Sequence, residues 1–180
     1  MKTSITKSIF GLLACIVLVS CNNTETLQTY FVDNQETPDF ISADIPTSIV
    51  TLDETTLSDD QKEAYNSIKS LNFLGFKLSD TNEAVYQAEL LKVEGILSNE
   101  KYNELIELND RAANINIMYL GEDDVADEFI VFTSSKEMGF GIVRVLGNQM
   151  RPEKMVTLID ALKDADVDKS QFESIANFFK

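Results

Sequence analysis

Asn114-Ile-Asn-Ile-Met-Tyr-Leu120, Glu128-Phe-Ile-Val-Phe-Thr133 and Phe140-Gly-Ile-Val-Arg-Val-Leu146 decide the fold. In these stretches the apolar period is two, the repeat of a strand with a buried face. Short polar connections join them, Gly121-Glu122-Asp123-Asp124 and Ser134-Ser135-Lys136-Glu137. Loops this short suit antiparallel neighbours, so the spacing predicts a three-stranded meander. Phe129-Ile130-Val131-Phe132 is apolar at every position. That strand should be central and covered on both faces. Arg144 interrupts the third strand on the side of Phe140, Ile142 and Leu146. A buried guanidinium needs a carboxylate partner. Arg144 therefore has two readings, a structural ion pair or a ligand-facing arginine.

Upstream, the pattern alternates between helix and strand. Leu27 to Asp33 reads as a short helix. Phe40 to Val50 reads as extended, with Pro46 confining it to an edge. Ser58-Asp59-Asp60-Gln61 is a capping-box pattern. It opens a helix whose apolar stripe is Ala64, Ile68 and Leu71. Phe73 to Leu78 is a short strand. Tyr86, Leu90, Val93 and Leu97 place a helix over Asn82 to Leu97. Ser98 caps a following helix with Tyr102, Leu105 and Ile106. After the meander, Pro152 suits the first turn of a helix, with Met155, Leu158, Ile159 and Leu162 as its buried stripe. Asp168 to Gln171 caps the last helix, with Phe172, Ile175, Ala176 and Phe179 inward. The fold class is α+β, with the meander set in a mixed sheet covered by helices.

The N-terminus gives an address. Lys2 and Lys7 precede an apolar run, Ile9 to Val19, that ends in Leu18-Val19-Ser20-Cys21. A basic start, a short apolar core and a small residue at the cut make a secretory signal peptide. A Cys in this position is similar to the lipobox of bacterial lipoproteins, where its thiol is acylated. The apolar run is about 11 residues and a spanning helix needs about 20, which argues against a transmembrane anchor. Three acyl chains, at about 0.8 kcal/mol per buried CH₂, hold far more firmly than one myristoyl chain. The expected organisation is a signal peptide over 1–20, a lipidated tether over 21–26 and one domain over 27–180. Five extended residues reach about 17 Å, so the domain should sit close to the membrane.

Removing residues 1–20 leaves thirteen basic and thirty acidic side chains, a net charge of −17. Such a surface repels phosphate backbones, so no nucleic-acid partner is expected. It repels anionic headgroups too, which leaves the lipid on Cys21 as the membrane contact. The chain has no His. With Cys15 discarded and Cys21 acylated, the mature domain has no thiol. That removes Cys–His and Ser–His–Asp catalysis and most zinc sites.

Other motifs are weak. Ser98-Asn99-Glu100-Lys101 matches Ser-x-x-Lys of serine β-lactamases but lacks the partner Lys-Thr-Gly. It reads better as an N-cap. Asp164-Ala165-Asp166-Val167-Asp168 offers carboxylates at positions 1, 3 and 5 of a calcium loop. Lys169 and Ile175 stand where Gly and Glu belong, so an acidic helix–helix turn is the simpler reading. Glu122, Asp123, Asp124, Asp127 and Glu128 could hold a cation or keep a sheet edge from pairing. Gly139-Phe140-Gly141 lacks the third glycine of a dinucleotide site and begins a strand.

Asp127-Glu128-Phe129-Ile130-Val131-Phe132, Gly139 to Gly147 and Met150-Arg151-Pro152-Glu153-Lys154-Met155 together resemble the DUF4252 family. Leu71 to Lys77 and Lys101 to Leu105 also fit. The resemblance implies a lipoprotein of unknown function from Bacteroidota, with no catalytic residues to transfer.

The leading expectation is a lipid-anchored, non-enzymatic binding module of the cell envelope. No catalytic residue, metal or cofactor is assigned, and an envelope protein is a candidate partner. The alternatives are a carboxylate-dependent hydrolase of glycan or peptidoglycan and a cation-binding protein. Asn22 is not the Asp of inner-membrane retention in enteric bacteria. Asn22 to Gln28 holds one acidic residue, too few for an acidic export tag. Both point to the outer membrane, facing the periplasm.

Overall fold

A computed structural model describes residues 25–51, 55–109, 113–162, 166–167 and 173–179. The signal peptide and Cys21 lie outside the described residues. So do Asp164, Ala165, Asp168 and the cap expected at 168–171.

Helix α1 spans Leu27–Asn34. Thr26, the last residue of the expected tether, caps it by accepting from Thr29 N. Strand β1, Phe40–Ile45, stops before Pro46, which has no N–H to donate to a ladder. A short 3₁₀ turn, Thr47–Ile49, leads into β2, Val50–Thr51. Helix α2, Asp59–Ser67, opens on the Ser58–Gln61 capping box, with both reciprocal bonds formed. Strand β3 follows at once, Ile68–Lys77. Ile68 and Leu71 therefore belong to a strand and not to the helix. The helix ends because Ile68 turns extended, at φ −77° and ψ 134°.

Helix α3 is Glu83–Leu97. Strand β4, Tyr102–Asn109, stands where a helix was expected. The register between β4 and its neighbour shifts between Glu104 and Ile106. Tyr102 packs in one core and Leu105 against the other, so apolar residues at both faces of one strand take a spacing of three that imitates a helical stripe. Strands β5, Asn114–Gly121, β6, Ala126–Ser135, and β7, Gly139–Met150, follow. Helix α4 is Pro152–Leu162, β8 is Asp166–Val167 and α5 is Glu173–Phe179.

The main sheet has six strands in the order β1-β3-β7-β6-β5-β4, while β2 and β8 form a separate pair. Every pairing is antiparallel. The expectation of a mixed sheet around a three-stranded meander is thus corrected to six antiparallel strands. Adjacent strands all run antiparallel, while α3 carries the chain across the sheet from β3 to the far edge at β4.

Two helical layers cover this sheet. On one face Leu74, Phe76, Ile130, Phe132, Phe140 and Ile142 meet α1 and α3. On the other, Phe129 and Val145 meet Ala64 of α2 and Met155 and Leu158 of α4. Phe73 meets Ile175 and Phe179 of α5. Strand β6 supplies both cores, as its unbroken apolar run implied. At the ends of the stripes, Leu162 and Ala176 are exposed rather than buried. Gly139 adopts φ +117°, where a Cβ would strike the Phe76 carbonyl. Only glycine fits this start of β7.

Candidate functional site

Arg144 sits on the α1 face of β7. Its Nε donates to Glu128 Oε1 at 2.6 Å, and its Nη2 donates to Oε2 at 2.8 Å. Both residues are buried, 9% and 6% exposed. The guanidinium carbon lies 5.3 Å from the Phe31 ring centroid, a cation–π contact. Glu128 comes from the acidic run 122–128, which strand β6 splits. Parity of two puts Glu128 inward with Ile130, while Asp127 stays exposed. The ion-pair reading of Arg144 therefore holds. The pair takes two of the five guanidinium donors and leaves three.

Arg144 also borders a cavity of about 560 Å³ between α1 and the β1 edge of the sheet. Strand register builds its polar wall. Asp44 of β1 pairs with Asn72 of β3, and Asn72 pairs with Arg144 of β7. The three form one row across adjacent strands, about 4.8 Å apart. Asn72 Nδ2 donates to Asp44 Oδ1. Helix α1 adds Gln28, Phe31 and Val32 from above, and its C-cap residue Gln35 joins them. Pockets for small ligands span about 300–1,000 Å³, so this one is large enough.

Tyrosines frame the same layer. Tyr30 is fully buried on α1 and donates to Glu89 Oε2 at 2.9 Å. Lys92 bonds the same carboxylate at 2.9 Å. Burial, then the Glu89 hydrogen bond and charge, push the Tyr30 phenol far above its usual range. Burial also raises Tyr102, beside Glu128 and Arg144. An unfolded tyrosine ionises near pH 10, whereas folded Tyr30 keeps its proton. Its contribution is complete below about pH 10 and is lost as pH rises from there toward the folded value. We expect the urea midpoint to fall between about pH 9 and 11, and to fall less steeply in Tyr30→Phe. Equal slopes in the two proteins would refute this coupling.

Among the described residues the remaining sequence motifs do not assemble. Ser98 ends α3 instead of opening a helix, and its hydroxyl donates to the Gly95 carbonyl. Lys101 lies over the Tyr102 ring, 5.0 Å from its centroid. Asp123 accepts from the Tyr119 hydroxyl at 3.0 Å. Asp166 and Val167 form a strand with Val50 and Thr51 where a helix–helix turn was expected. Among the described residues no group of three or more His, Cys, Asp or Glu is placed to hold a metal ion. None of the described helices is long and apolar enough to cross a membrane. A second cavity, about 360 Å³, is lined by Glu94, Glu104 and Glu107 over a floor that includes Met118 and Phe132.

Sequence reasoning missed Asp44 and Asn72. Their signal was parity: each is polar on the strand side that elsewhere carries Phe40, Leu74 and Phe76.

These features define an α+β protein, a six-stranded antiparallel sheet between helical layers, with one polar cavity at its β1 edge. The family model described as a domain of unknown function (DUF4252) matches residues 30–158. The chain belongs to that family. The match runs from α1 to α4 and contains the whole cavity wall except Gln28. No curated protein and no solved structure matches the chain.

Proposed function

We propose that this protein is a lipid-anchored binding module of the cell envelope, without catalytic machinery of its own. Acylated Cys21 holds it at the outer membrane, facing the periplasm. The Arg144 cavity is where it takes a ligand. One observation carries the binding role: a buried, preorganised arginine with unused donors in the wall of a ligand-sized cavity. The Leu18-Val19-Ser20-Cys21 sequence carries the anchor. The mature chain's lack of thiol and imidazole favours binding over nucleophilic chemistry.

Cys21→Ala is expected to abolish fatty-acid labelling and to release the protein from the membrane fraction. Retention of the variant in membranes would refute the anchor. Protease added to intact cells should spare the domain; its removal would place the domain on the cell surface instead.

A second reading is a carboxylate-dependent hydrolase of glycan or peptidoglycan. It is favoured by the three glutamates that share one cavity, since such enzymes need two carboxylates within about 5–10 Å. Turnover of purified peptidoglycan, lost in Glu104→Gln or Glu107→Gln, would support it. Absence of turnover, or turnover unchanged in both variants, would end it.

A further inference from the structure

We infer that the Arg144 cavity is built for a neutral, hydroxyl-rich ligand, a saccharide, an assignment that rests on the binding role proposed above. The Arg144 charge in its wall is already paired, while Asp44 keeps its own. Arg144 is neutralised by Glu128 through its Nε and Nη2, and Asp44 accepts from Asn72. An anion would meet Asp44 and the field of a chain carrying −15. An ammonium group carries donors alone and would leave the Arg144 N–H groups without an acceptor. A charged group of either sign therefore matches only part of this wall.

What the wall offers is alternating hydrogen-bond capacity. Glu128 lies on the β6 side of Arg144, and the cavity lies on the β3 side. The guanidinium edge that Glu128 leaves consists of Nη1 and the second Nη2 N–H, two parallel donors. Next along the row come the Asn72 carbonyl oxygen and then the Asp44 carboxylate, both acceptors. Gln28 of α1 and the C-cap residue Gln35 complete the lining, each with donors and an acceptor.

A ligand that satisfies donors and acceptors in turn, without net charge, needs groups that are both. Hydroxyls are such groups, and adjacent pairs of them match planar bidentate side chains. The apolar part of the lining also fits. Val32, 59% exposed, and Leu146 offer surface to ring C–H groups. The Phe31 ring carries the Arg144 guanidinium, and Phe73 also belongs to the lining.

The test is solution NMR on the full ¹⁵N-labelled chain in mild detergent. The probes are maltose, cellobiose and diacetylchitobiose as neutral saccharides, glucuronate as the anion and glucosamine as the cation. At least one neutral disaccharide should shift the Asn72, Gln28 and Gln35 carboxamide resonances saturably. Glucuronate and glucosamine should bind about tenfold more weakly or worse. Asp44→Ala, at an exposed position that leaves the fold intact, should weaken the disaccharide about tenfold. A charged probe that saturates the same resonances as tightly overturns the saccharide assignment but leaves the cavity a binding site. An Asp44→Ala variant of unchanged affinity overturns the assignment as well. No saturable change with any probe overturns both it and the binding role of the cavity.

Discussion

Arg144→Leu lowers the free energy of unfolding by about 5 kcal/mol, because it strands a buried carboxylate. Glu128 is 6% exposed and does not border the cavity. Once its partner is gone, neither water nor another cation replaces the two short hydrogen bonds. Glu128→Ala is expected to cost less, about 3 kcal/mol. Arg144 lines the cavity, so water can reach the donors that Glu128 leaves. The double variant Arg144→Met with Glu128→Leu removes both charges together. Buried pairs replaced by apolar residues of similar volume are often neutral or better, so most of the loss should be recovered. Urea denaturation at neutral pH measures all three. A loss below about 1 kcal/mol in both single variants would mean that the pair behaves as a surface ion pair.

The second large effect is in the aromatic core. Phe140→Ala is expected to cost about 3–5 kcal/mol, through lost transfer energy and the cavity left behind. Phe140 is 1% exposed. Its ring lies 5.6 Å from Phe76, 6.2 Å from Phe40 and Tyr86, and 6.3 Å from Phe132, between centroids. Each such pair adds about 0.5–1.5 kcal/mol beyond buried area. These partners come from β1, β3, α3 and β6, so the site cannot collapse by moving one side chain. For a chain of this size the melting temperature should drop by about 10 °C. Leu162→Ala, at the exposed end of the α4 stripe, is the control and should change stability by no more than about 0.5 kcal/mol. Similar losses at Phe140 and Leu162 would refute the placement of the core.

Much of this architecture was legible because local signals agreed with the tertiary result. Ser58 and Gln61 satisfy each other's backbone partners within four residues, so the start of α2 needed no long-range information. The four apolar residues Phe129 to Phe132 could be buried only by two layers. The parity of β7 placed Arg144 among Phe140 and Ile142 and demanded a carboxylate, although five nearby acids left the partner open. Where two periods overlap, the reading failed. Tyr102 and Leu105 face opposite cores, which gave the stretch a helical spacing, and only pairing with β5 makes it a strand. Ile68 and Leu71 fit the stripe of α2 equally well, and pairing of β3 with β7 claimed them.

The sequence alone determined the alternation of the strands, the capped helices and the inward face of Arg144, because each follows from spacings within a few residues. It also carries the Leu18-Val19-Ser20-Cys21 signature on which the proposed anchor rests. Only the tertiary structure decided that Asp44, Asn72 and Arg144 share one row. They lie 28 and 72 positions apart, and the register of β1 on β3 and of β3 on β7 brings them together. Register is set by which apolar sets can be buried at once across the whole sheet, a condition that no single stretch of the chain contains.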